Sequence, residues 1–193
     1  MDLILEAAAA AAAFLFLTVG VFADSPVLKR IDAALEKIIS PMKTRRWSAF
    51  WTGITYFGGL WGIILVSFIA LFASNFDPVF IIRGIAAVAG VSAVVQALKM
   101  LVARARPEKL PWRDHELEFS YPSGHTAAAT ALYGLLAVVF AVPAGILWLC
   151  AAILAILLIA FSRMALSVHY ASDILGGLLL GVLGLLAAFT LPL

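Results

Sequence analysis

Charge is what this 193-residue chain has least of. Only 12% of its residues are Asp, Glu, Lys or Arg, against about 25% in a soluble domain, and 64% are hydrophobic. No charged residue follows Asp173. Such a chain has too little polar surface for a water-soluble domain and reads as an integral membrane protein. Cysteine is nearly missing too. Cys150 is the single one and lies in an apolar run, so no disulfide framework exists within the chain. Histidine occurs three times and the carboxylates are not clustered, which argues against a metal centre. The net charge of +2 and the absence of a basic tract give no reason to expect a nucleic-acid partner. The first residues lack the positive charge of a signal peptide. Asp2 and Glu6 are acidic, so the first apolar run is expected to stay as a span.

What the chain does have is long apolar stretches. A spanning helix needs about 20 mainly apolar residues in a row. Six regions qualify, at about 3–23, 49–73, 79–101, 123–142, 145–162 and 173–192. The expected fold is all-α, a six-transmembrane-helix bundle forming a single membrane-embedded domain over 1–193. Between the first two spans, Ser25 and Pro26 start a further helix as N-cap and first residue. There Val27, Leu28, Ile31, Leu35, Ile38 and Ile39 recur at helical spacing among Lys29, Arg30, Asp32, Glu36 and Lys37. That pattern predicts an amphipathic helix in the membrane interface. Pro143-Ala144-Gly145 predicts a tight turn. Gly177, Gly181 and Gly184 give the last helix a small-residue face for close packing.

Three polar stretches interrupt this pattern. Lys99 and Arg106-Pro107 end the third span. Pro122-Ser123-Gly124-His125 opens the fourth. Ser162-Arg163, His169 and Asp173 run from the fifth into the sixth. With six spans, all three fall on one side of the membrane. Lys99, Arg106 and Arg163 brought together would repel one another unless an anion lay between them. Arg suits bidentate phosphate contacts and Lys a point-charge contact. A helix start at Ser123 presents free backbone N–H groups to an anion, Ser123 adds a hydroxyl, and Gly124 allows close approach. The plain alternative is an ordinary N-cap. His169 and Asp173, four apart, share a helix face. A carboxylate on one imidazole nitrogen would leave the other as a nucleophile, with His125 as the acid that protonates a departing alkoxide. A structural histidine at a helix end, or a metal ligand, is the alternative for His169.

These three stretches, Lys-x6-Arg-Pro, Pro-Ser-Gly-His and Ser-Arg-x5-His-x3-Asp, resemble the signature of the type-2 phosphatidic acid phosphatase family at every position and in order. The resemblance implies a metal-independent membrane lipid-phosphate phosphatase that needs no cofactor. In it His169 forms a phospho-histidine, Asp173 orients it and His125 protonates the leaving group. Lys99, Arg106, Ser123, Gly124 and Arg163 hold the phosphoryl oxygens. The partners it implies are the lipid bilayer and a lipid phosphate substrate: phosphatidylglycerol phosphate, phosphatidic acid, undecaprenyl diphosphate or phosphorylated lipid A. No obligatory protein partner is evident. A phosphotransferase using the same site, or a non-catalytic anion- or lipid-binding membrane protein, are the alternatives. His115 lies outside these motifs and is expected to be solvated. Lys109, Trp112 and Arg113 are candidates for head-group contact. Sidedness is contested. Lys29, Arg30, Lys37, Lys43, Arg45 and Arg46 share the motif side, while only Arg83 lies opposite, which by the positive-inside rule makes the motif side cytoplasmic. Bacterial members of the family place the site on the outer, periplasmic face of the inner membrane, and the resemblance implies that face here.

Overall fold

Apolar helices that pack through small residues need positions where backbones can approach, and the centre of this fold has them. The computed structural model describes residues 2–108, 110 and 119–192. Their regular structure is helical: α1 (Asp2–Phe22), α2 (Pro26–Ile39), α3 (Arg45–Tyr56), α4 (Leu60–Ala73), α5 (Pro78–Val102), α6 (Gly124–Ala165) and α7 (Ala171–Thr190), with a 3-10 turn at Ser40–Met42. Helices α5, α6 and α7 meet through Ala87, Val91, Val95, Ala127, Ala131 and Leu180, and Phe14 of α1 joins this core. The glycine face of α7 lies in the contact. A Cβ on Gly181 would meet the Ala127 carbonyl oxygen at 2.7 Å, and one on Gly184 would overlap Val91. Large apolar side chains point outward instead, with Phe16 84% and Leu147 79% exposed. A soluble protein seldom shows so much apolar surface.

Among the described residues, four helices are long and apolar enough to cross a membrane: Ile4–Phe22, Pro78–Val102, Gly145–Ala165 and Ala171–Thr190. The expected span over 49–73 is not one straight helix. It breaks at Phe57-Gly58-Gly59 into α3 and α4, bent by 45°, and counts as a fifth only if the pair is taken together. The break lies where the chain passes α6. A Cβ on Gly58 would meet Ile159 and the His125 carbonyl oxygen at 3.2 Å. Gly124–Phe140 is apolar but shorter than a usual span. The expected turn at 143–145 is a break within α6, where Gly145 takes φ 70°, a value that suits glycine. Trp148 Nε1 donates to the Leu136 carbonyl across it at 2.9 Å.

Helix α2 forms where its apolar spacing predicts, with Pro26 at its start. The Ser25 side chain makes no capping bond. Its Val27, Ile31 and Ile38 face away from the protein, while Asp32 is buried against it. Helix α5 begins with Asp77 accepting from the Val79 N–H at 3.0 Å. It ends at Ala103, whose φ of 48° turns the chain sharply.

Candidate active site

The turn between α6 and α7 delivers the third motif. After Ala165 the Leu166 N–H donates to Ser162 O at 2.9 Å and the Val168 N–H to Arg163 O at 3.1 Å. Ser167, at φ 57°, reverses the chain. His169 is thereby folded inward and only 3% exposed, and Asp173, in the first turn of α7, is fully buried. Asp173 Oδ2 accepts the Tyr170 N–H at 2.8 Å, tying down the helix start. The same oxygen lies 3.6 Å from His169 Nδ1. That is longer than a hydrogen bond, so the pair is apposed electrostatically. Burial pushes the imidazole down to about 4, against the opposing pull of Asp173 and with help from Arg163 and Arg106. Near neutral pH His169 therefore carries a free lone pair.

The second motif joins this turn directly. The Ser123 N–H donates to the Asp173 carbonyl at 3.0 Å, so one motif is fastened to the last residue of another. Ser123 Oγ accepts from Thr126 Oγ1 at 3.0 Å. Its own hydroxyl hydrogen is then available for an oxyanion. Gly124 starts α6 beside Val95 of α5, which a Cβ would meet at 3.4 Å. His125 sits in the first turn against the α3–α4 break, where a Cβ on Gly59 would come within 3.1 Å of its Nε2.

The first motif closes the arrangement. Lys99 is buried in the last turn of α5, one turn beyond Val95. Arg106 Nη1 donates to the Val168 carbonyl at 2.9 Å, linking the loop after α5 to the turn before His169. Arg163 is 1% exposed, and its Nη1 donates to Thr55 Oγ1 at 2.9 Å. Elements far apart in sequence thus bring the three stretches to one end of the α5–α6–α7 bundle.

Several residues at this end escaped the sequence reading. Arg104 bonds Asp173 Oδ1 at 2.6 Å and Asp32 Oδ2 at 2.7 Å. Lys43 reaches Glu36 at 2.6 Å and Ser167 Oγ at 3.0 Å. Thr55 receives Arg163. In sequence Arg104 and Lys43 look like ordinary loop cations, Asp32 like part of a solvated face, and Thr55 like a residue within a span. Lys109, Trp112, Arg113 and His115 lie outside the described residues.

The PAP2 superfamily model matches residues 80–193, which contain all three motifs. Phosphatidylglycerophosphatase B of Bacillus subtilis (strain 168) is 36% identical over 95 residues, a stretch covering 46% of this chain and 46% of that protein, so the match spans about half of the relative's length. The crystal structure of the first transmembrane PAP2 type phosphatidylglycerolphosphate phosphatase from Bacillus subtilis superposes with a TM-score of 0.79 at 23% identity, covering 95% of this chain and 94% of that one. The crystal structure of Aquifex aeolicus LpxE gives 0.67 at 21% identity, covering 82% and 94%. At those identities the two structures speak for the shared fold. With its family match extending over more than half of its length, the chain belongs to the PAP2 superfamily.

Proposed function

We propose that this protein is an integral membrane lipid-phosphate phosphatase that works through a phospho-histidine without a metal. The observation that carries the reading is the buried His169–Asp173 pair, held against the Ser123 end of α6 by the Ser123–Asp173 backbone bond. His169 Nδ1 faces the carboxylate, so Nε2 is the attacking atom. As the N–P bond forms and the P–O bond to the lipid breaks, His125 gives its proton to the departing oxygen. Asp173 offsets the positive charge gained by the imidazole. Water then attacks phosphorus, His125 takes a proton from it, the N–P bond breaks and inorganic phosphate leaves. Lys99, Arg106, Arg163, the Ser123 hydroxyl and the backbone at Gly124 hold the phosphoryl oxygens as charge shifts among them.

The whole of 1–193 acts as one domain on this reading. Six membrane crossings result if the bent α3–α4 pair and the short Gly124–Phe140 arm each count as one, with α2 lying in the interface on its apolar side. The resemblance to bacterial members of the family supports a site that opens at the outer face of the inner membrane. The name of the Bacillus subtilis relative makes phosphatidylglycerol phosphate the first substrate to try, ahead of phosphatidic acid and undecaprenyl diphosphate.

The test is phosphate release by purified protein in detergent with EDTA present, across these lipids. We expect release from at least one of them and its loss, with the fold retained, in His169→Ala. Undiminished release in that variant would remove His169 as nucleophile. Release seen only when an acceptor lipid is added would make the protein a phosphotransferase.

A further inference from the structure

The site contains a charge chain that the motif residues do not account for. Helix α5 ends on Ala103 in the left-handed region, which a non-glycine residue seldom adopts, and this turn aims Arg104 back under α7. Its Nη1 donates to Asp173 Oδ1 at 2.6 Å and to Ser172 Oγ at 2.7 Å. Its Nη2 donates to Asp32 Oδ2 at 2.7 Å. Its flat face lies 4.2 Å from the Tyr170 ring centroid. The Arg104 carbonyl accepts the Ser120 N–H at 2.9 Å, fixing the backbone as well. Asp32 is the other anchor. It is 5% exposed on a helix whose other charged residues are solvated, and it accepts from the Ser172 N–H at 2.9 Å and Ser172 Oγ at 2.7 Å.

A buried carboxylate is kept charged only where donors and a counter-charge meet it. Two such carboxylates share one guanidinium here. Only the planar fork of arginine can reach both with separate nitrogens while stacking on an aromatic ring. The consequence for the site is geometric. Arg104 takes Oδ1 of Asp173 and the Tyr170 N–H takes Oδ2, so the carboxylate plane is set and Oδ2 is the oxygen presented to His169.

We infer that Arg104 and Asp32 are positioning residues for Asp173 and through it for His169, which makes the peripheral helix α2 part of the catalytic apparatus. This rests on the phospho-histidine reading above. Asp32 neutralises Arg104, and Arg104 moderates how strongly Asp173 supports charge on the imidazole. The charged groups facing His169 itself are Asp173, Arg163 and Arg106.

The two residues have opposite signs, and that supplies the test. Phosphate release from phosphatidylglycerol phosphate would be followed against pH for Arg104→Gln, Arg104→Lys and Asp32→Asn. Without Arg104 the pull of Asp173 on a proton at His169 is stronger, so the acid limb of kcat/KM moves to higher pH. Without the Asp32 charge, Arg104 bears wholly on Asp173 and the limb moves to lower pH. Each shift is expected to be on the order of half a pH unit. Arg104→Gln is expected to lower kcat by about 10²-fold, as a displaced catalytic group does, with KM changed far less. Arg104→Lys recovers part of it. Loss of packing alone would move both limbs the same way or not at all, and either result overturns the inference. Should Arg104→Gln not fold, Asp32→Asn decides by the direction of its shift. Release that is lost in His169→Ala yet unchanged in kcat and pH profile in the Arg104 and Asp32 variants rejects this inference alone. Release that survives His169→Ala rejects the parent reading with it.

Discussion

Gly177 lies one turn beyond Asp173 on α7, and adding a single methyl group there tests whether the site depends on how closely α6 and α7 approach. A Cβ at this position would sit 2.6 Å from Ser123 O, 3.0 Å from Thr126 Cβ and 3.3 Å from Ala127 N. Ser123 O cannot yield easily, since it accepts the first backbone bond of α6, from Ala127 N–H at 3.0 Å. Restoring an ordinary contact of 3.4 Å requires the helices to part by about 0.8 Å. The Ser123–Asp173 backbone bond, now 3.0 Å, would then stretch beyond hydrogen-bond length. Overpacking of this kind costs about 1–3 kcal/mol, and a displacement near 1 Å costs about 10²-fold in rate. Gly177→Ala is therefore expected to lower the unfolding temperature in detergent and to cut phosphate release about a hundredfold. Gly90→Ala is the control, because its Cβ would meet nothing within 4 Å. A Gly177→Ala protein with the turnover and unfolding temperature of that control would refute the claim that close α6–α7 contact sets the site.

Stability should follow the protonation of His169. Burial and its cationic neighbours depress this imidazole from 6.5 to about 4 in the folded protein. The unfolded chain therefore binds the extra proton first, and stability is complete above 6.5 and falls as pH drops toward 4. The loss amounts to about 3 kcal/mol. Thermal unfolding between pH 4 and 7 should show that slope in the wild type and a flatter one in His169→Gln. Thr55→Val keeps the shape of a buried side chain but removes the acceptor for Arg163 Nη1. A loss of about 1–3 kcal/mol is expected, restored by Thr55→Ser, with the unfolding temperature as the measure. Sidedness is open to cysteine labelling in a Cys150→Ala background. An impermeant reagent on intact cells should label Lys29→Cys, exposed in the same connection as Asp32, and spare Asp77→Cys. Labelling of Asp77→Cys alone would place the site on the cytoplasmic face.

Much of this protein was legible from local pattern. Apolar run length located most of the helices to within a few residues, because a helix in an apolar medium is specified by its own composition and its own backbone bonds. The spacing of His169 and Asp173 predicted a shared helix face, whereas α7 begins only at Ala171 and His169 lies in the turn before it. The break at Phe57-Gly58-Gly59 was not legible in the same way. Residues 49–73 are apolar throughout, and what bends the chain there is the passage of α6, over sixty residues later in sequence. The role of α2 was missed for a related reason: spacing shows which side of a helix is apolar but not what its polar side meets.

By itself, then, the sequence determined the membrane-spanning character and the all-helical class and singled out the candidate phosphate-site residues, since each depends on composition or on short-range spacing. The tertiary structure alone decided that Asp32 and Arg104 hold Asp173 and that Thr55 holds Arg163. It also decided that three motifs meet at one end of the α5–α6–α7 bundle. Those contacts join residues 50 to 140 positions apart, and no local pattern encodes a partner at that distance. They exist because glycine and alanine faces let α5, α6 and α7 pack closely, and the buried charges then had to find one another.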